Sequence, residues 1–216
     1  MRSEQNTLDW RRLPMRPAGL ETHVEKRKNT MNITVYCGAS LGHDEAYRQA
    51  AEAMGQWIAH SGNILVYGGG KAGLMGAVAD SVLAAGGRAI GIMPVFLAER
   101  ELAHTGLTEL MLVETMAERK AQMLDLADAC IALPGGPGTL EEISEAYSWA
   151  RIGKNSAPCV FWNTGGFYEP QKAMYQAMAD SGFLSREHFE KLLFTEDFAE
   201  LEHFIRHYQA PEVRRY

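Results

Sequence analysis

From residue 32 onward the chain alternates short, continuously apolar β-rich runs with stretches of helical periodicity, and no other feature restricts the fold as much. NITVYCG (32–38), NILVYGGG (63–70), RAIGIMP (88–94), ELMLVE (109–114), ACIALPGG (129–136), APCVFWN (157–163) and KLLFTE (191–196) read as strands. Helical segments such as DEAYRQAAEAMGQWIAH (44–60) and GLMGAVADSVLAAG (73–86) lie between most of them. Strands without a polar face, separated by helices, must be covered on both sides. The expectation is an α/β fold: a Rossmann-like, doubly wound, mostly parallel sheet of about seven strands with helices on both faces. Ligands of such sheets bind at the carboxyl ends of the strands, where the strand order reverses. Gly38, the glycines at 68–70 and those within 135–138 all fall at strand exits, so one nucleotide-sized site is expected there.

A chain of 216 residues, 46% hydrophobic, can bury one good core. Residues 31–216 are expected to form a single domain. Residues 1–30 are polar, charged and without sustained periodicity, and read as an N-terminal extension, poorly ordered or packed on the surface. Met31, directly before the first strand, offers an alternative start. The formal charge of −6 argues against nucleic acid as a partner. The longest apolar stretch is interrupted by Arg88 and by glycines, and the N-terminus has no signal-peptide core, so no membrane is implied. Cys37, Cys130 and Cys159 sit far apart in or beside apolar runs, without metal spacing. They read as buried free thiols of a cytoplasmic protein.

Two glycine motifs differ in weight. GGGKAG (68–73) matches GxGxxG between a strand and a helix, but the next strand ends in GIMP, without the acid a ribose hydroxyl would need. Leu74 follows Gly73 where a phosphate-binding P-loop requires lysine, so a tight turn remains an equal reading. PGGPGTLEE (134–142) says more. Amides at Gly135, Gly136 and Gly138, with the positive end of the following helix, suit a phosphate. Thr139 and Glu142 also fit a capping box, which would explain the acid without any chemistry. Helical phase puts Leu140, Ile143, Tyr147 and Ala150 on a buried stripe and Glu141, Glu145 and Ser148 on another face. Glu142 falls between the two, leaving two first-turn carboxylates available to a ligand. Arg119 and Lys120 open the preceding helix; they suit either a solvated basic pair or contact with the anion.

MxxRK at 116–120 followed by PGGxGTxxE at 134–142 resembles the LOG ("Lonely guy") family, cytokinin riboside 5′-monophosphate phosphoribohydrolases formerly described as possible lysine decarboxylases. The similarity runs from about residue 32 to at least residue 165 and includes CGAS (37–40), YGGGKAGLMG (67–76) and GIMP (91–94). Pro137 stands where relatives often carry tyrosine, and Ala117 where histidine is common. The resemblance implies that Arg119 and Glu142 are the catalytic pair. It further implies that Glu101, Lys120, Gly135, Gly136, Pro137, Gly138, Thr139, Leu140, Glu141 and Ser148 line the nucleotide site. Ser40, Gly69 and Gly70, on the neighbouring strand exits, are assigned to the same site. The resemblance implies a homodimer and a nucleoside 5′-monophosphate substrate, N6-isopentenyl-AMP and AMP among them.

No cofactor and no metal are expected. His203 and His207 have the i, i+4 spacing of zinc ligands but lack a third ligand, so a solvated helix face is the better reading. Lys154 follows Gly153 at a helix end, an ordinary place for a cation, and nothing marks it as a pyridoxal phosphate lysine. Two other functions compete. One is a nucleotide or molybdenum-cofactor carrier of related fold, which the intact Arg119 and Glu142 disfavour. The other is nucleic-acid processing, disfavoured by net acidity and the absence of aromatic–basic clusters.

Overall fold

The computed structural model describes residues 15–17, 30–98 and 103–213. The strands are β1 (Met15–Pro17), β2 (Asn32–Tyr36), β3 (Ile64–Tyr67), β4 (Arg88–Pro94), β5 (Glu109–Val113), β6 (Ala129–Ala132), β7 (Cys159–Trp162) and β8 (Leu192–Thr195). They form one sheet in the order β1-β5-β4-β3-β2-β6-β7-β8, and every pairing is parallel. All seven strands expected from the sequence are present. The eighth, β1, comes from the N-terminal segment, with Met15 beside Leu110 and Pro17 beside Leu112. Three residues are too few to show a period, and a proline within a strand is tolerated at a sheet edge, where its missing N–H faces no neighbour. The remainder of residues 1–29 lies outside the described residues.

The helices are α1 (Glu45–His60), α2 (Gly73–Ala84), α3 (Val95–Ala98), α4 (Met116–Asp125), α5 (Pro137–Arg151), α6 (Glu169–Asp180), α7 (Arg186–Phe189) and α8 (Phe198–His207). Successive strand residues point to opposite faces, and each face has its own core. Ile33, Val35, Leu65, Tyr67 and Ile131 pack with Met54, Ile58, Val78 and Leu201 of α1, α2 and α8. Tyr36, Ile64, Val66, Cys130 and Ala132 pack with Met123, Ile143, Tyr147 and Tyr175 of α4, α5 and α6. Burial on both faces is why the strands carry no polar alternation.

After β2 the chain steps outward through β3, β4 and β5, then returns to place β6 on the other side of β2. The order reverses between β2 and β6. Their exits are tied at this point, with the Leu133 N–H donating to the Tyr36 carbonyl at 2.9 Å and the Gly38 N–H to the Pro134 carbonyl at 3.1 Å. A crevice at the carboxyl edge follows from this topology.

On the far face, α1 and α2 approach closely at Gly55. A Cβ at this residue would lie 2.6 Å from the Val78 carbonyl oxygen and 2.7 Å from the Ser81 Cβ. Gly55→Ala therefore sets helix propensity against packing. The propensity gain is about 1 kcal/mol, and overpacking costs about 1–3 kcal/mol. The variant should unfold at lower denaturant concentration than the parent; a higher midpoint would show that the helices can separate freely.

Candidate active site

The helix that brings Arg119 to the crevice is fixed at its first residue. The Thr115 hydroxyl accepts from the Glu118 N–H at 3.1 Å, and the Glu118 carboxylate accepts from the Glu114 N–H at 2.9 Å. This reciprocal cap starts α4 at Met116 and puts Arg119 one turn inside, near the exits of β3 and β4. The Arg119 Nε donates to the Ile92 carbonyl at 3.2 Å, and Nη1 approaches the Met116 sulfur at 3.8 Å. Its Nη2 occupies the space where a side chain at residue 68 would begin, so a Cβ on Gly68 would collide with it. Gly68 is a seat for the guanidinium.

Helix α5 begins earlier than the motif suggests. Gly136 is its N-cap and Pro137 its first residue, because the fixed φ of proline and its missing N–H suit that position. No side chain caps it, so the first amides of α5 keep no side-chain acceptor. Three expectations are corrected by this start. Thr139 is not a cap: it is 4% exposed, inside the helix, with its hydroxyl tucked against Gly135. Glu141 and Glu142 consequently fall in the second turn, and the capping-box explanation of Glu142 lapses. Leu140 turns away from the core and is 37% exposed; the buried stripe is Thr139, Ile143, Ala146, Tyr147 and Ala150.

Glu142 is half-buried, and among the described residues its carboxylate has no hydrogen-bond or ion-pair partner. Burial raises its pKa above the usual carboxylate range, the Arg119 charge pulls it back, Glu141 and Glu145 push it up and Lys120 lowers it. Its charge also adds to burial in raising the pKa of Tyr36 and Cys37 at the end of β2. A carboxylate in this setting can stabilise a positive charge in the crevice or hold a water.

The glycine loops divide by role. Gly38 and Gly135 are in contact: a Cβ on Gly38 would lie 3.4 Å from the Gly135 Cα, and one on Gly135 would lie 2.9 Å from the Gly38 nitrogen. Close approach of the two strand exits requires glycine at both. The amides that open α2 are already used, with Leu74 and Met75 donating to the Gly38 carbonyl at 3.0 and 3.4 Å. GGGKAG is thus packed into the fold, and its helix end is not turned to a ligand. Gly69 and Gly70 hold the loop that follows residue 102, through the His104 N–H on the Gly69 carbonyl at 3.0 Å and a bridge from Gly70 to Ala103. Glu101 lies outside the described residues. Ser40 is exposed just beyond β2. Ser148 is exposed on the face of Glu141 and Glu145, about 15 Å along the helix axis from Gly138 at 1.5 Å per residue, so it does not meet the glycine loop.

Lys120 pairs with two acids of α5. Its ammonium bonds Glu141 at 2.5 Å and Glu145 at 3.0 Å, linking α4 to α5. Sequence reasoning passed over His104, which carries no motif. Its buried ring accepts the Gly106 N–H on Nδ1 at 3.1 Å, so Nε2 carries the proton it donates to Asp80 at 2.8 Å. That clasp pins the loop after residue 102 to α2. The remaining candidates lie elsewhere. His203 and His207 are exposed on α8, Lys154 is in the turn after α5, and among the described residues no three ligating side chains cluster.

An unpaired, half-buried acid beside a seated guanidinium, at the reversal point of a parallel sheet and next to an uncapped helix start, defines a Rossmann-like protein built around a small-molecule site. The family described as "Possible lysine decarboxylase" matches residues 75–204. The cytokinin riboside 5′-monophosphate phosphoribohydrolase of Rhodococcoides fascians is 44% identical over 163 residues, covering 75% of this chain and 82% of that protein. The LOG phosphoribohydrolase of Oryza sativa subsp. japonica is 40% identical, over 76% of this chain and 67% of that one. That of Mycobacterium tuberculosis is 39% identical, over 76% and 88%. The chain belongs to this LOG family. In fold it also resembles the molybdenum cofactor carrier protein of Chlamydomonas reinhardtii, with a TM-score of 0.63 at 20% identity, over 82% of this chain and 99% of that one.

Arg119 lowers the Glu142 pKa, so its removal must do the opposite. In Arg119→Gln, carboxyl-labelled glutamate followed by NMR should show the Glu142 resonance titrating at higher pH than in the parent. A titration unmoved or shifted to lower pH would mean that the two groups do not share a field.

Proposed function

We propose that this chain is a metal-free, cofactor-free phosphoribohydrolase that acts on nucleoside 5′-monophosphates. Cytokinin riboside 5′-monophosphates such as N6-isopentenyl-AMP, together with AMP, are its substrates, and free base and ribose 5-phosphate its products. The observation that carries the reading is the unpaired carboxylate of Glu142 beside the seated Arg119, in a chain whose relatives bear the phosphoribohydrolase name. Residues 31–216 act as the catalytic domain, and residues 1–30 are an extension that adds β1 to the edge of its sheet. The protein works in the cytoplasm.

The reaction breaks the bond between C1′ and the base nitrogen, whose electron pair leaves with the base and takes up a proton. Positive charge develops on the ribose, and water adds its oxygen to C1′. Glu142 stabilises that charge and orients the water, whose proton it can accept. Amides at Gly136, Gly138 and Thr139, with the start of α5, hold the 5′-phosphate. Arg119 supplies two directed N–H groups to the phosphate or ribose from a fixed seat. Glycines and acids of one sequence motif, split between the loop and the second turn of α5, therefore serve opposite ends of one ribose 5-phosphate.

The same reading includes a homodimer. An apolar groove of about 390 Å³ between α4 and α5, lined by Ala117, Ala121, Leu124 and Trp149, supports it, and Trp149 is 39% exposed. The carrier alternative rests on fold likeness at about 20% identity, which bears on architecture alone.

Glu142→Gln should fold normally and release base roughly 10²-fold more slowly or worse, because the isostere carries no charge. Near-normal turnover would leave Glu142 a structural residue. Adenosine should be a far poorer substrate than AMP, since each lost charge-assisted hydrogen bond costs about 1.5–3 kcal/mol. Equal efficiency on the two, by chromatography of released adenine, would mean that the 135–138 loop is only a turn.

A further inference from the structure

The guanidinium of Arg119 is seated on the loop that leaves β3, and a second segment of chain holds that loop in place. The His104 N–H donates to the Gly69 carbonyl at 3.0 Å, and Gly70 forms a bridge with Ala103. The His104 side chain in turn fixes residues 103–106. Its buried ring accepts the Gly106 N–H on Nδ1 at 3.1 Å and donates from Nε2 to Asp80 at 2.8 Å. Asp80 stands on α2, whose Leu74 and Met75 amides are bound to the Gly38 carbonyl at the exit of β2. A continuous path of bonds thus runs from β2 through α2, Asp80 and His104 to Gly69. The next residue back, Gly68, is the bare Cα on which the guanidinium sits. The path has little slack. Gly69 has a φ of +78°, and a Cβ on Gly91 would lie 2.7 Å from the Gly69 Cα, so the loop is pressed against β4.

We infer that His104 and Asp80 are positioning residues for Arg119: their hydrogen bond fixes the glycine loop that seats the guanidinium, and with it the placement of Arg119 relative to Glu142. The inference rests on the hydrolase reading of the same site. With both ring nitrogens engaged, the imidazole cannot turn without breaking a buried hydrogen bond. Arg119 itself is tied to β4 through Nε on the Ile92 carbonyl at 3.2 Å, while the room for its Nη2 is set by Gly68. Misplacement of about 1 Å at a reacting centre lowers rates by up to about 10²-fold. The displacement can also be read at Glu142, apart from turnover. The groups facing that acid are Arg119 and Lys120 on α4, Glu141 and Glu145 on its own helix, and Tyr36 and Cys37 at the end of β2. Arg119 is the one seated on the loop that His104 holds, and its charge favours the ionised acid. A displaced guanidinium therefore lets Glu142 titrate at higher pH.

The test compares His104→Phe, His104→Gln, Asp80→Ala and Asp80→Asn, by release of adenine from AMP and by NMR of carboxyl-labelled glutamate. His104→Phe keeps a ring of similar size and loses both bonds, so kcat should fall roughly tenfold or more. Its Glu142 resonance should titrate at higher pH than in the parent, in the direction of Arg119→Gln and not as far. Asp80→Ala changes only an exposed side chain, and should reproduce both effects even if His104→Phe folds poorly. His104→Gln, which keeps a donor toward Asp80, and Asp80→Asn, which keeps an acceptor for His104, should stay near the parent in both readouts. In the Arg119→Gln background, His104→Phe should move Glu142 no further, because the charge it acts through is gone. Parental kcat and a parental Glu142 titration in folded His104→Phe and Asp80→Ala, with only the unfolding midpoint lowered, would reduce the clasp to a matter of stability and overturn the inference. A further Glu142 shift in the Arg119→Gln background would overturn it too. Parent protein that never releases base would instead overturn the hydrolase reading, and the NMR titrations would still decide whether the clasp places Arg119.

Discussion

The arrangement of the candidate site depends on the place where one guanidinium rests. Arg119 is held by backbone: the Ile92 carbonyl takes its Nε–H and the bare Cα of Gly68 gives it room. Arg119 is only half-buried, and Glu142, whose pKa its charge lowers, sits on the facing helix. Because main-chain groups position the cation, Glu142 keeps no hydrogen-bond or ion-pair partner among the described residues. The reciprocal cap at Thr115 and Glu118 serves the same end, since a helix starting one residue later would rotate Arg119 by about 100° away from Gly68.

The sheet's reversal point supplies the second constraint. Gly38 and Gly135 let the exits of β2 and β6 touch, and that contact decides what each loop can do. The carbonyl of Gly38 absorbs the Leu74 and Met75 amides of α2, whereas no side chain caps α5, which Pro137 starts. One glycine loop is thus taken up by the fold, and on the proposed reading the other receives the anion. On the proposed reaction, an anchored phosphate and an acid beside C1′ divide the substrate between them. Binding energy from the non-reacting end then holds the reacting end in place.

The fold was readable in the sequence to the extent that burial on both sheet faces leaves runs of unbroken apolar residues, and β2 through β8 were visible on that ground. β1 was not, because the three residues Met-Arg-Pro are too few to show a period. At the site, the motif residues Arg119 and Glu142 were legible, and the arrangement around them was not. The rule that Ser/Thr with Glu three residues on marks a cap applied twice, to Thr115–Glu118 and to Thr139–Glu142. Only the rigid φ of Pro137, which starts α5 early, decides between them. The pairing of Lys120 with Glu141 and Glu145 joins separate helices and leaves no local trace. His104 is silent for a similar reason, since its partners Asp80 and Gly106 are gathered by the sheet edge.

The central claim, that this crevice hydrolyses an N-glycosidic bond, is tested most directly by following oxygen. Purified protein would be incubated with N6-isopentenyl-AMP in heavy-oxygen water, and both products analysed by mass spectrometry. The account predicts free base and ribose 5-phosphate in equal amounts, with one heavy oxygen on the sugar at C1 and none on the base. Tight binding of the nucleotide with no base released, or release of base without solvent oxygen on the sugar, would contradict it.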